Sequence, residues 1–552
     1  MGSQAEQLRS WWKESSVYQI YPASFQDSTG TGVGDLKGII SRVDYLKDLG
    51  VDIVWLSPIF KSPQHDMRLQ VYRPPYGDIS DVDVLRDRLH ERGMKLVLDL
   101  VMNHTSDEHP WFQESRKSKD NPFRDWYIWR PPRHFQGSAW EYDEATDEYY
   151  LRLFCREQPD LNWENPAVRR AAHDVMRFWL DRGADGFRID VINFISKDQS
   201  FPDSNEAVLK GHEFYACGPR LHEYLQELGA ILKEYDAFSV GEMPCVHDTN
   251  EIMKAVGAGR DELSMIFHFE LMDVDHGPKG KFSPRTWSLS ELKKIVNKWQ
   301  RLMYDRNGWN ALYLENHDQP RSVSRFTSDA PEHRAASAKL IAIFLGFQAG
   351  TPFIYQGQEI GMTNVPKDWT MDEYKDVDCV NHWALYKDTA DEETKTQLKA
   401  EYQKKSRDNA RTPMQWDASP HGGFTTAGAT PWMRVNDNYK TVNAASQTSD
   451  PRSVYHTWRR VLEQRKALKD VFVYGDFALV DEASDKVFAY ERRATANGDA
   501  ALIVCNFSDG DEAWKWEGKA REVLVSSAGK EVKDVNGGEI RLGPWEAVAL
   551  LL

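Results

Sequence analysis

Residues 186–191 read GFRIDV. Arg188 and Asp190 stand two positions apart, so on a strand they share one face. Seven more short apolar runs, at 17–21, 51–57, 95–102, 238–242, 265–269, 311–315 and 352–355, are rich in Val, Ile, Leu or Phe and read as buried strands. Amphipathic stretches lie between them, with apolar residues at helical spacing over 171–180 and 335–347. Eight strands with intervening helices predict a closed parallel (β/α)8 TIM barrel. An open doubly wound sheet is the alternative, and eight βα units in succession favour closure.

Two regions break this rhythm. Residues 105–164 are polar, aromatic and loop-like, and they separate the third strand from the fourth; they read as a subdomain B inserted after strand 3. Beyond residue 468, short alternating segments at 486–492, 500–506, 521–526 and 547–551 read as a C-terminal antiparallel β-sandwich domain. The expected organisation is therefore a catalytic barrel over 1–104 and 165–468, an insertion over 105–164 and a β domain over 469–552. The charged helical stretch 387–405 is expected to be solvated.

Composition narrows the function. The chain carries 69 basic and 85 acidic residues, a net charge of −16, which repels phosphate backbones and gives no basic surface for anionic membranes. Five cysteines without CxxC or metal-ligand spacing read as free thiols in a reducing compartment. Residues 1–12 have no apolar signal core, and no run of about 18 apolar residues appears. A cytoplasmic protein is expected, a monomer or weak oligomer, with neither nucleic acid nor membrane as partner.

Barrel enzymes carry their chemistry at the C-terminal ends of the strands. Three acids occupy such ends: Asp190 in GFRIDV, Glu242 in 240–244 (VGEMP) and Asp318 in 315–318 (ENHD). His104 ends the third strand in 99–104 (DLVMNH), and His317 precedes Asp318. Paired carboxylates on one rim suit glycoside hydrolysis: one attacks the anomeric carbon and the other donates a proton to the leaving oxygen. Arg188 is expected to favour the ionised form of Asp190, while Glu242 has only Val240 two residues away; this asymmetry suits a nucleophile and a proton donor.

With these motifs the chain resembles the α-amylase superfamily of glycoside hydrolases, and within it the oligo-1,6-glucosidase and maltase branch. Residues 158–162 (QPDLN), 357–361 (GQEIG) and 406–416 (SRDNARTPMQW) match as well. The resemblance implies a retaining, exo-acting α-glucosidase that takes glucose from the non-reducing end of oligosaccharides such as isomaltose or maltose. It implies Asp190 as nucleophile, Glu242 as acid/base and Asp318 as transition-state stabiliser. It implies substrate contacts from His104, Phe154, Arg188, His317 and Arg407. In this branch the residue after the nucleophile tracks linkage, and Val191 stands where α-1,6 enzymes have Val; α-1,4 activity stays open.

Two loops depart from the family pattern. Residues 27–35 (DSTGTGVGD) resemble its calcium loop, with Asp27, Thr29, Thr31, Val33 and Asp35 as the implied ligands, although Thr replaces the usual acidic or amide residues at 29 and 31. No ion is expected to be required for the chemistry. After the second strand the resemblance calls for an MGYDI-type stretch whose Tyr stacks on glucose and whose Asp partners Arg407. Here Met67 is followed by RLQV and then YRPPYG, so the Tyr and Asp are missing near 68–70 and Arg407 loses that partner. An exon-boundary error would produce such a break between intact flanks. The other readings are a catalytically weakened glucosidase and a non-catalytic sugar-binding or regulatory relative.

Overall fold

The computed structural model describes residues 9–60, 76–131, 139–205, 211–495 and 498–552. The departure at 67–75 lies outside them. One eight-stranded sheet contains β1 (Val17–Ile20), β2 (Ile53–Leu56), β3 (Lys95–Val101), β4 (Gly186–Asp190), β5 (Phe238–Glu242), β6 (Met265–Phe267), β7 (Ala311–Leu312) and β8 (Thr351–Tyr355). Its order is β7-β8-β1-β2-β3-β4-β5-β6, with β8 back beside β1. That cyclic order is the (β/α)8 barrel expected from the sequence. Every residue of β1, β2, β5 and β8 is buried, which is why these strands read as continuous apolar runs rather than alternating ones. β6 and β7 are shorter than the apolar runs 265–269 and 311–315, because ladder pairing ends at Phe267 and Leu312; beyond β7, Asn316 bridges to Gln319.

The helices follow local chemistry. Pro166–Asp181 begins with Asn165 accepting from the amide of Ala167, and Pro166 fits the first turn, where an N–H would have no helical partner. Arg334–Gly346 is apolar nearly all round. Such a helix needs cover on more than one side, and the C-terminal domain supplies some of it: the Tyr490 hydroxyl donates to Phe344 O at 2.9 Å.

The chain divides into two compact units. One comprises Met1–Ser57, Pro75–Lys95 and Glu270–Leu552, and holds β1, β2, β7, β8 and the C-terminal domain. The other comprises Pro58–Pro74 and Leu96–Phe269, and holds β3 from Leu96 onward, β4 to β6 and the inserted region.

The inserted region is more ordered than a loop. It forms a helix at Pro110–Ser115 and an antiparallel sheet in which Glu148–Leu151 pairs with Trp129–Arg130 and with Trp140–Asp143. Its aromatic residues build a small core: the Phe112 ring lies 5.0 Å from Tyr127, 5.8 Å from Trp129 and 5.0 Å from Tyr150.

The C-terminal domain contains β9 (Asp476–Leu479), β10 (Val487–Arg493), β11 (Ala500–Asn506), β12 (Glu512–Trp516), β13 (Glu522–Ser526), β14 (Gly538–Leu542) and β15 (Ala547–Leu551). A five-stranded antiparallel sheet, β9-β10-β11-β15-β13, and the pair β12-β14 enclose a core that includes Val504, Ile540, Leu542 and Val548. β9, β12 and β14 escape the apolar pattern because they are short, mostly exposed or half-buried, and mix charged residues with their few apolar ones. The helix Glu392–Lys405 keeps most of its charged face exposed, as expected, and is anchored by three residues on its inner side. Leu398, Tyr402 and Lys405 are buried, and Lys405 Nζ lies 2.6 Å from Asp275, which also pairs with Arg325. Among the described residues, no helix is long and apolar enough to cross a membrane.

Candidate active site

In the unit holding β3 to β6, charge is organised around Arg188. The register sets Asp99 of β3 directly opposite Arg188 of β4, and Arg188 opposite Val240 of β5. Asp190 follows Arg188 on the same face, and Glu242 follows Val240. The guanidinium therefore reaches three carboxylates: Nη1 donates to Asp99 Oδ1 at 3.0 Å and to Asp190 Oδ1 at 2.6 Å, and Nη2 lies 2.6 Å from Glu242 Oε2. The Arg188 side chain is only 2% exposed. Burial alone would lower its pKa, but Asp99, Glu242 and Asp190 hold it well above the ordinary value.

This geometry corrects one expectation. Arg188 does not separate the two acids by pairing with Asp190 alone, because it binds both. What distinguishes them here is enclosure: the Asp190 side chain is 24% exposed and that of Glu242 is 11% exposed. Val191, the next residue, has φ 33° and ψ 45°. A β-branched residue in this left-handed region is strained, at a cost of about 1–3 kcal/mol. Its amide points at Glu242 Oε2, 3.4 Å away.

His104 sits behind the same acids on the β3 side. Its Nε2 is 3.0 Å from Gln158 Nε2, and its ring is 5.2 Å from that of the part-exposed Phe154. Burial lowers the pKa of His104, which favours a neutral imidazole able to accept as well as donate. The QPDLN segment acts here. Gln158 holds His104, while Asp160 accepts from Asn103 Nδ2 at 2.8 Å and from the Leu153 amide at 2.9 Å, and pairs with Lys197 at 3.1 Å. Lys197 Nζ also donates to Asn103 Oδ1 at 2.9 Å. Sequence reasoning missed Lys197, a lone lysine in a polar stretch whose partner is 37 residues away in the chain.

In the other unit, His317 Nδ1 is 2.8 Å from Gln19 Nε2 of β1, and its ring stacks on Tyr21 at 6.2 Å. His317 Nε2 lies 3.2 Å from Asp318 Oδ2. Asp318 Oδ1 accepts from Arg411 Nη2 at 2.8 Å, and Arg407 Nη1 is 3.6 Å away. Arg411 also donates through Nε to His317 O at 3.1 Å, so it fixes both residues of the ENHD motif. It was legible in principle: it lies one helical turn after Arg407 within the quoted SRDNARTPMQW segment.

Arg407 is paired despite the altered loop. Its Nε donates to Asp376 Oδ1 at 2.7 Å, and its backbone amide donates to Asp376 Oδ2 at 3.0 Å. Asp376 is fully buried; burial would raise its pKa, but Arg407, Lys281 and Arg411 hold it far below the carboxylate range. Its neighbour Asp408 is pushed up to about 6 by burial and by Asp376.

The loop at 27–35 is satisfied by protein donors. Asp27 Oδ1 accepts from the amides of Thr29 at 2.9 Å and Gly30 at 2.8 Å, and Oδ2 accepts from the Gly32 amide at 2.7 Å and the Thr425 hydroxyl at 2.5 Å. Asp35 Oδ1 caps the helix Leu36–Ser41 through the Gly38 amide at 2.7 Å and accepts from the Ser28 hydroxyl at 2.7 Å. Thr31 Oγ1 donates to Val33 O at 3.3 Å. These protein donors hold both carboxylates and order the loop. Among the described residues, no cluster of three or more His, Cys, Asp or Glu is placed to hold a metal.

Comparison with known proteins agrees with this chemistry. The Alpha amylase catalytic-domain family matches residues 19–475. An α-glucosidase of Schizosaccharomyces pombe is 53% identical, with 90% of each chain covered. An oligo-1,6-glucosidase of Parageobacillus thermoglucosidasius is 48% identical over 98% of each. The crystal structure of a Bacillus licheniformis trehalose-6-phosphate hydrolase variant superposes with a TM-score of 0.91 at 38% identity, over 98% of this chain and all of that one. The motifs at the strand ends, the barrel order and these matches together place the chain in the α-amylase family of glycoside hydrolases.

Proposed function

We propose that the protein is a retaining, exo-acting α-glucosidase that releases glucose from the non-reducing end of short α-glucosides, with α-1,6 linkages preferred and α-1,4 linkages as a second activity. The observation that carries the reading is Arg188, whose two terminal nitrogens each lie 2.6 Å from a different acid, Asp190 and Glu242. Two carboxylates on one guanidinium are close neighbours, which suits the retaining separation of about 5–5.5 Å rather than the wider inverting one. In this reading the Asp190 carboxylate attacks the anomeric carbon while Glu242 protonates the departing oxygen. Glu242 then takes a proton from the water that releases glucose. Asp318 stabilises the oxocarbenium-like transition state. His104, Phe154, His317 and Arg407 contact the sugar.

The linkage preference rests on Val191 and is supported by relatives named oligo-1,6-glucosidase. Val presents an apolar branch where Thr would present a hydroxyl. Replacing Val191 by Thr is expected to shift the ratio of isomaltose to maltose hydrolysis about tenfold toward maltose; an unchanged ratio removes the side chain from linkage selection. The loop at 27–35 is proposed to work without an ion. A bound ion at a hundred times its Kd would add about 2.7 kcal/mol and raise Tm by a few degrees. The expected result is the same Tm in calcium and in EDTA, and a rise in calcium argues for a site.

The enzyme is proposed to be cytoplasmic, and monomeric or weakly oligomeric. A second reading, a weakened or non-catalytic sugar-binding relative, follows from the missing Tyr and Asp near 68–70. Losing a charged hydrogen-bond partner for the sugar costs about 1.5–3 kcal/mol. One assay separates the two: purified protein against isomaltose, maltose, sucrose and an aryl α-glucoside, with Asp190→Asn as control. Binding without turnover of any substrate favours the second reading. Turnover of isomaltose with α-glucose as first product favours the first.

A further inference from the structure

The β4–β5 ladder ends one residue too early to align the two acids. Its last paired residues are Ile189 and Gly241, so Asp190 and Glu242 both lie just beyond the register. On their outer sides Asp190 still pairs with Val101 and Glu242 with Phe267, but no ladder pair joins the two acids to each other, and an attacking carboxylate and a proton donor must keep a fixed separation. The turn after the nucleophile, Ile192–Phe194, supplies other ties. The Val191 amide, held in its left-handed conformation, faces Glu242 Oε2 at 3.4 Å. Asn193 is fully buried, and its Nδ2 donates to Pro244 O at 2.8 Å, two residues beyond Glu242.

The backbone carbonyl of Asn193 accepts from the Cys217 amide at 2.8 Å, which anchors the turn from its other side. Close packing completes the arrangement. A Cβ added at Gly241 would meet Leu263 Cδ1 at 2.7 Å and Ile192 Cγ2 at 2.9 Å, so a side chain there would press on both the turn and Leu263.

We propose that Val191 and Asn193 form a latch that extends the β4–β5 register past the end of the ladder and holds Glu242 in place against Asp190, with Asn193 as the positioning residue. This rests on the glucosidase reading above. It gives the strained Val191 a main-chain task distinct from its side chain's part in linkage choice. It also explains a buried asparagine that no sugar needs to touch.

The test exploits the leaving group. Isomaltose needs the proton from Glu242 to depart, whereas fluoride leaves α-glucosyl fluoride without one, so kcat/KM for the fluoride reports attack by Asp190 almost alone. Asn193→Ala and the nearly isosteric Asn193→Asp are compared with the native enzyme on both substrates. The expected result is a fall in kcat/KM of about 10- to 100-fold for isomaltose and less than about threefold for the fluoride. Both values come from one preparation, so their ratio is independent of the folded fraction and poor folding cannot imitate the effect. Equal losses on the two substrates, or no loss on isomaltose, overturn the latch. A native enzyme that cleaves neither substrate overturns the glucosidase reading and the latch with it, a result distinct from either of those.

Discussion

Asp190→Asn is expected to lower kcat/KM for isomaltose by more than about 10⁴-fold while leaving Tm nearly unchanged. The carboxamide has the size of the carboxylate, and its oxygen still accepts from Arg188 Nη1, which donates to Asp190 Oδ1 at 2.6 Å in the native protein. The fold therefore loses little. The chemistry loses the atom that bonds to the anomeric carbon, and a 10⁴-fold loss corresponds to about 5.4 kcal/mol of transition-state stabilisation. Steady-state kinetics with thermal melting measure both quantities. Residual activity above one part in a hundred, in protein free of deamidation, would remove Asp190 from the nucleophile's role.

The second large effect concerns Arg188. Replacing it by Met leaves Asp99, Asp190 and Glu242 facing one another without the cation that pairs with all three. Breaking a buried ion pair by deleting one partner costs about 3–5 kcal/mol, because the remaining charge stays buried and uncompensated. Here several such charges remain, and they can be relieved only by protonation. In the variant the carboxylates repel one another without that cation, so keeping them charged becomes costlier in the folded state than in the unfolded one. A raised carboxyl pKa contributes stability below the unfolded pKa that is lost as pH rises through the folded one. The loss in Arg188→Met is therefore expected to grow from pH 5 to pH 8. Denaturant unfolding across that range measures it, and a pH-independent loss would mean that Arg188 acts mainly by packing. Activity is expected to fall as well, since both acids lose their common anchor.

Much of the site was legible because it lies at strand ends. Short buried strands of Val, Ile, Leu and Phe announce a parallel sheet, and acids at their C-terminal ends stand out against them. Asp190, Glu242, His104, His317 and Asp318 were singled out that way as candidates. Residues with partners far along the chain stayed hidden. Asp376 and Lys197 carry no local signature, since nothing in a linear pattern says that Asp376 grips Arg407 or that Lys197 pairs with Asp160. The aromatic stretch 105–164 looked like loop for a related reason. Its strands are short, and their core forms only when Phe112 meets Tyr127, Trp129 and Tyr150.

By itself the sequence determined the barrel and its family and nominated the candidate acids, because these follow from the period of burial along each strand and from motifs of a few adjacent residues. Only the tertiary structure decided how those acids share charge. The register between β3, β4 and β5 brings Asp99, Asp190 and Glu242 to a single guanidinium, and register is a relation between strands that no one strand contains. The same holds for Val191: the sequence shows its type, on which the proposed linkage preference rests, but its left-handed backbone and the amide it turns toward Glu242 arise from the turn packed against Gly241.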